Sequence, residues 1–172
     1  MHIRLLDSKD ARDYRRIRLE ALQFHPAAFG SSFEEEKEYS FETIAQRLSS
    51  DFAFTFGAFK DDKLIGVVTL VFEQKIKLRH RATIVAMYVV PEQRRTKAGK
   101  QLMQETILHA QKSGVIEQIY LAVVTTNQPA KKMYQSLGFK TYGIDQNALK
   151  LDQAYFDEEL MVLRLDNQNA SI

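Results

Sequence analysis

Ile84-Val-Ala-Met-Tyr-Val-Val-Pro-Glu-Gln-Arg-Arg-Thr-Lys-Ala-Gly-Lys-Gln-Leu102 is the stretch around which the rest of the chain is arranged. Ile84 to Val90 is a near-continuous apolar run of strand length, rich in β-branched residues and closed by Pro91, the pattern of a central strand covered on both faces. Beyond a polar, basic segment, Ala98, Leu102, Met103, Ile107 and Ala110 recur at helical spacing until Ser113-Gly114 stops them. A helix that starts directly after a buried strand points its unpaired N–H groups and the positive end of its dipole into the crevice at the strand's end. That is an anion site. Arg94, Arg95, Lys97 and Lys100 frame it, and Gly99 lets the backbone come close to a ligand. A pyrophosphate fits this description; the plainer reading is a basic helix start that faces water.

Composition narrows the field. A chain of 172 residues, 45% hydrophobic and 27% charged, makes one soluble globular domain with a real core. We take residues 1–166 as that domain and 167–172 as a tail. The formal charge of +2 neither requires nor excludes nucleic acid. No apolar run reaches the length of about 18 residues that a membrane span needs, and the amino terminus is not a signal peptide, so a cytoplasmic protein is expected. The absence of cysteine removes disulfides, thiolate metal sites and a Cys nucleophile. His2, His25, His80 and His109 show no zinc-binding spacing, so no metal is expected.

Outward from the organising stretch, Met1 to Leu6 reads as a strand with one buried face. A helix follows, with Ser8 or Asp10 as N-cap and Ala11, Tyr14, Ile17, Ala21 and Phe24 inward, ended by His25-Pro26. Ala27 to Phe33 is a small-residue loop of the kind that lines sites. Glu34, Glu35, Glu36 and Glu38 form an acidic cluster ahead of a helix capped by Ser40. Such a cluster is ordinarily a solvated first turn that suits the dipole; its functional reading is a wall attracting a cationic amine. Phe52 to Phe59 and Leu64 to Phe72 form an antiparallel hairpin around Asp61-Asp62-Lys63. Lys75 to Arg81 reads as its solvated, basic end. Gln118 to Val124 is a second buried strand, parallel to the organising one because a helix intervenes. A short helix then runs between Pro129 and Gly138. Lys140–Gly143 and Asp157–Leu165 read as two strands joined by a long polar connection containing Asn147, Lys150, Asp152 and Tyr155.

Two signatures make the resemblance specific. Arg94, Lys97 and Gly99, preceded by Val89-Val90-Pro91, resemble the Arg/Gln-x-x-Gly-x-Gly/Ala pyrophosphate pattern of the GCN5-related N-acetyltransferases (GNAT). Asn127, Ala130, Tyr134 and Leu137-Gly138-Phe139 resemble that family's Asn-x-x-Ala-x-x-x-Tyr-x-x-x-Gly-Phe. The resemblance implies an α/β (α+β) fold: a mixed, mostly antiparallel sheet of about seven strands, with one parallel, splayed central pair and four helices. Lys97 departs from the pattern, standing where Gly is common. Its N–H survives, so phosphate binding is expected to persist if Lys97 keeps a negative φ.

The resemblance further implies acetyl-CoA as cofactor. Its pyrophosphate would lie on the amides of Arg95, Thr96, Lys97, Ala98, Gly99 and Lys100. Its pantetheine arm would lie along the strand edge at Met87, Tyr88 and Val89, where backbone amides would also polarise the thioester. Asn127 would bond the cofactor or orient its helix. Tyr134 is the expected general acid, since a phenol of pKa near ~10 is protonated at neutral pH; otherwise it is a packed aromatic. Some relatives carry a Glu five residues before the Asn. Here that position is Ala122, which leaves water, Glu34, Glu35 or Asp157 as the base. The acceptor, a small-molecule or peptide amine, is expected between the Phe29–Glu38 loop and the Ala148–Tyr155 connection, with Phe29, Glu34, Glu35 and Tyr155 as contacts. Neither nucleic acid nor membrane is expected as a partner, and a homodimer is left open. Two other readings remain: an acyl-CoA sensor without turnover, and a nucleic-acid binder using Lys75–Arg81 and Arg94–Lys100, whose affinity would depend steeply on salt.

Overall fold

A computed structural model describes residues 1–165; Asp166 and the expected tail at 167–172 lie outside the described residues. The strands are β1 (His2–Leu5), β2 (Ala53–Lys60), β3 (Lys63–Phe72), β4 (Arg81–Val89), β5 (Gln118–Val124), β6 (Lys140–Leu151) and β7 (Ala154–Arg164). They form a seven-stranded sheet in the order β1-β2-β3-β4-β5-β7-β6. Every neighbouring pair is antiparallel except β4 and β5, as the helix between them requires. The helices are α1 (Ala11–Phe24), α2 (Phe33–Glu36), α3 (Phe41–Leu48), α4 (Ala98–Lys112) and α5 (Gln128–Ser136). The fifth comes from the acidic cluster: Ser32 and Glu35 close a capping box that winds Phe33–Glu36 into a single turn.

Each face of the sheet has its own core. Leu102, Met103, Ile119 and Met161 lie in the cluster to which α4 contributes, and Ile17, Ala21, Ile44 and Leu64 in the one shared by α1 and α3. In α1 the inward stripe differs from expectation. Phe24 is 67% exposed, while Arg18 is buried. Arg18 reaches its buried place by a bidentate bond to Glu36, Nε and Nη2 donating at 2.7 to 3.1 Å, which compensates a charge that could not otherwise leave water.

The long polar connection after Gly143 is not a loop. β6 continues to Leu151 and returns after Asp152-Gln153 as β7, with Asp152 in the left-handed conformation at φ 53° as a tight hairpin demands. Polar residues hide this strand because β6 is the sheet's edge, so most of its residues face water.

Candidate active site

The sheet forks at its one parallel pair. β4 and β5 pair only at Arg81–Gln118, Ala82–Ile119 and Thr83–Tyr120, although β4 continues to Val89 and β5 to Val124. On its other side β4 stays paired with β3, where Val67 faces Tyr88 but Thr69 faces Val85. One extra residue is therefore held in β4, and Ala86, at φ 55°, marks the bulge. Val90 donates to the Ile65 carbonyl of β3 at 2.9 Å. Strand alternation then turns the N–H and C=O of Val89 and Met87 toward the fork. The Tyr88 side chain goes the other way, into the α1 core, and its hydroxyl donates to Glu20 at 3.0 Å; that burial pushes its pKa up to about 12.

At the mouth of the fork lies the loop 94–97. Among the described residues, the N–H groups from Arg95 to Lys100 donate to no backbone oxygen, which makes a run of free donors ahead of the fifteen-residue α4. Arg94 does not reach outward. Its Nε donates to the Val89 carbonyl at 3.1 Å, Nη2 meets His25 Nε2 at 2.8 Å, and the guanidinium lies 5.7 Å from the Tyr88 ring centre. It ties the loop to β4 and to the end of α1. The expectation of a negative φ at Lys97 fails: Lys97 sits at 71° and Arg95 at 67°. The chain turns left-handed immediately before the helix, a geometry glycine adopts freely and lysine holds at a cost of about 1 kcal/mol. At Gly99 a Cβ would lie 3.1 Å from Met87 Cε and 3.3 Å from Met133 Sδ, so the residue sits close to the side chains of β4 and α5.

Within the fork, a small cavity of about 80 Å³ is lined by Ala86, Met87, Ala122, Asn127 and Tyr134 among others. Asn127 caps α5, its side-chain oxygen accepting from Ala130 N–H at 3.3 Å. Tyr134 is 6% exposed, and burial raises its pKa to about 12. Its hydroxyl has no hydrogen-bond partner on the described chain, yet it is not among the fully enclosed unpaired atoms, so it opens into this cavity.

A larger cavity of about 880 Å³ continues from the fork across the α1 and α3 face, sharing Phe29, Val85, Ala86 and Ala122 with the small one. It contains a carboxylate that sequence reasoning missed. Glu158 on β7 lines it and stands opposite Val124 of β5, one strand step from Ala122. Its pKa is raised by desolvation and by Asp145, its partner across β6. The signal in the sequence was the run Asp157-Glu158-Glu159 inside a strand, where alternation must send one acid to each face. Asp157 is otherwise engaged, accepting from Asn147 N–H at 2.8 Å.

The expected acceptor contacts divide. Phe29 lines both cavities and a third of about 700 Å³, which Glu34 also lines, between Pro26–Glu34 and the β6–β7 hairpin end. Glu35 lines none of these and accepts from Ser32 within its capping box, which holds its pKa low. Tyr155 is exposed and pairs across the hairpin with Lys150. The basic segment Lys75–Arg81 ends at the start of β4 and Arg94 follows its end, roughly 25 Å apart at about 3.3 Å per residue.

Comparison with known proteins agrees with this geometry. The model of the acetyltransferase (GNAT) family matches residues 14–139. The chain belongs to that family. Among solved structures, a GNAT acetyltransferase from Streptococcus pneumoniae is 25% identical, with a TM-score of 0.83 over 95% of this chain and 98% of that one. YncA from Salmonella typhimurium, solved with its cofactor acetyl-CoA, superposes with a TM-score of 0.85 at 18% identity, covering 100% and 98% of the two chains. The ribosomal-protein-S18-alanine N-acetyltransferase of Escherichia coli gives 0.71 at 21% identity over 99% of each. No curated protein matches. Among the described residues of this GNAT chain, no helix is long and apolar enough to cross a membrane, and no group of three or more acidic or histidine side chains could hold a metal ion.

Proposed function

We propose that this GNAT protein is an acetyl-CoA-dependent N-acetyltransferase that acetylates a primary amine by direct attack on the thioester. One observation carries the reading: the unpaired edge of β4, the partnerless amides of residues 95–100 and the Tyr134 hydroxyl all belong to one fork, continuous with a cavity holding Glu158. The residues present suit acetyl-CoA, since free backbone donors at a helix start accept a diphosphate and an open strand edge accepts an amide-bearing arm.

Bound acetyl-CoA supplies the acetyl group and a thiolate leaving group. Glu158, whose raised pKa strengthens it as a base, removes a proton from the incoming ammonium. The freed nitrogen pair forms the N–C bond while backbone N–H groups beside the Ala86 bulge stabilise charge on the carbonyl oxygen. The C–S bond breaks with its electron pair on sulfur, Tyr134 donates its proton there, the nitrogen's surplus proton is lost to water, and Glu158 returns the ammonium proton to solvent. Tyr134 is then reprotonated from water. Glu158 offers a base in place of the carboxylate that position 122 lacks.

The test is calorimetry with coenzyme A followed by thiol release from acetyl-CoA over a panel of amines. Binding with amine-dependent thiol release is expected, and Tyr134→Phe should lower kcat on the order of 100-fold while coenzyme A still binds. Binding without thiol release from any amine would reverse the proposal in favour of the sensor.

A further inference from the structure

The charges in the large cavity are sorted. The sheet order sets β2 and β3 at one end, under α3 and α1, and β7 at the other. At the β7 end stands Glu158; at the helix end stand Arg18 and Arg47. Arg18 is more than nine-tenths buried, and Glu36 takes its Nε and Nη2. Its Nη1 is fully enclosed, with no hydrogen-bond partner among the described residues, so a ligand in the cavity does not reach it. Arg47 lies 4.1 Å over the Tyr39 ring and has no carboxylate partner among the described residues. Glu36 offsets the charge of Arg18, and Arg47 leaves this end positive. Phe29, Val85 and Leu149 add apolar lining.

From this arrangement we infer that the acceptor is a small amine that also carries a carboxylate, its ammonium directed to Glu158 and its carboxylate to Arg47. The inference rests on the acetyltransferase reading and narrows it. A carboxylate is the planar acceptor that matches a guanidinium fork, and a volume of about 880 Å³ is that of a small-molecule site. The apolar lining fits the carbon skeleton between the charges. A polyamine is selected against, because its second ammonium would meet the Arg47 guanidinium.

The experiment uses the intact chain, shown first to bind coenzyme A, and matched acceptor pairs: α- and ω-amino acids, each beside the amine of the same skeleton lacking the carboxylate, with spermidine as a dication. Thiol release should show kcat/KM at least 10-fold higher for the carboxylate-bearing member of the best pair. Arg47→Gln, at an exposed position that tolerates the change, should shrink that preference at least 10-fold, with the loss in the acid's KM rather than in kcat. Equal or faster turnover of the decarboxylated amine or of spermidine would overturn the inference while leaving acetyl transfer standing. An Arg47→Gln effect equal on both members would overturn it too, as the mark of a structural role. Coenzyme A binding with no turnover of either class would overturn the acetyltransferase reading and this inference together.

Discussion

Glu158 and Glu159 are neighbours in one strand, identical in chemistry, and opposite in almost everything else. Strand alternation sends them to opposite faces. Glu158 enters the large cavity, where desolvation and then Asp145 raise its pKa. Glu159, 7% exposed, is bonded by Lys131 of α5 at 2.5 Å and by the Thr141 hydroxyl, and the Lys131 bond leads in holding its pKa below the usual carboxylate range. A carboxylate with a cation and a hydroxyl in place is spent on structure: it fastens to β7 the helix that carries Tyr134. A carboxylate facing another carboxylate keeps its affinity for a proton. The difference teaches that burial with or without a compensating partner, more than residue type, separates an acid kept for chemistry from one kept for cohesion.

The comparison can be broken most sharply by activity. Glu158→Gln should lower kcat/KM on the order of 100-fold or more, while Glu159→Gln should act mainly on stability; the reverse order of effects in a thiol-release assay would refute the division. Next in size is the ion pair. Lys131→Met strands Glu159 against the sheet and should cost about 3 kcal/mol in denaturant unfolding, whereas Arg16→Met, which loosens an exposed pair with Glu20, should cost under about 0.5 kcal/mol.

Acidity separates the two acids in opposite senses. For Glu159 the folded pKa is depressed, so its contribution is full above the ordinary carboxylate value of about 4.3 and fades as pH falls through the lower folded value. For Glu158 the folded pKa is raised, so ionisation opposes folding and stability declines as pH rises through that value. Glu158→Gln should therefore raise Tm at neutral pH even as it lowers turnover, and should remove from the residual activity the acid limb of the wild-type kcat/KM profile, which lies above the ordinary carboxylate range. Tyr134, with its pKa near 12, predicts no loss of proton donation between pH 7 and 10. The smallest effect is at Lys97. Lys97→Gly relieves the left-handed strain at φ 71° and should stabilise by about 0.5 kcal/mol after the entropy glycine adds to the unfolded chain, measured by the same unfolding curves.

Much was legible in one dimension because it is written in local periodicity. The apolar run Ile84 to Val90, the stop at Ser113-Gly114 and the interval between Pro129 and Gly138 mark β4, α4 and α5 to within about three residues, since each element follows from its own residues and caps. The free amides at residues 95–100 follow from the same local logic, because any helix start leaves donors unpaired. What escaped was non-local. β6 looked like a loop because an edge strand has no buried face to impose alternation, and Phe24 looked like core because spacing cannot tell which stripe meets the sheet. Glu158, Glu36 and Arg47 acquire meaning only when β7, α2 and α3 are brought around one cavity. Sequence determined most of the elements and the free amides after β4; only tertiary structure decided which acid lines the cavity and which charges share it, since electrostatic roles depend on neighbours that the chain supplies from far along its length.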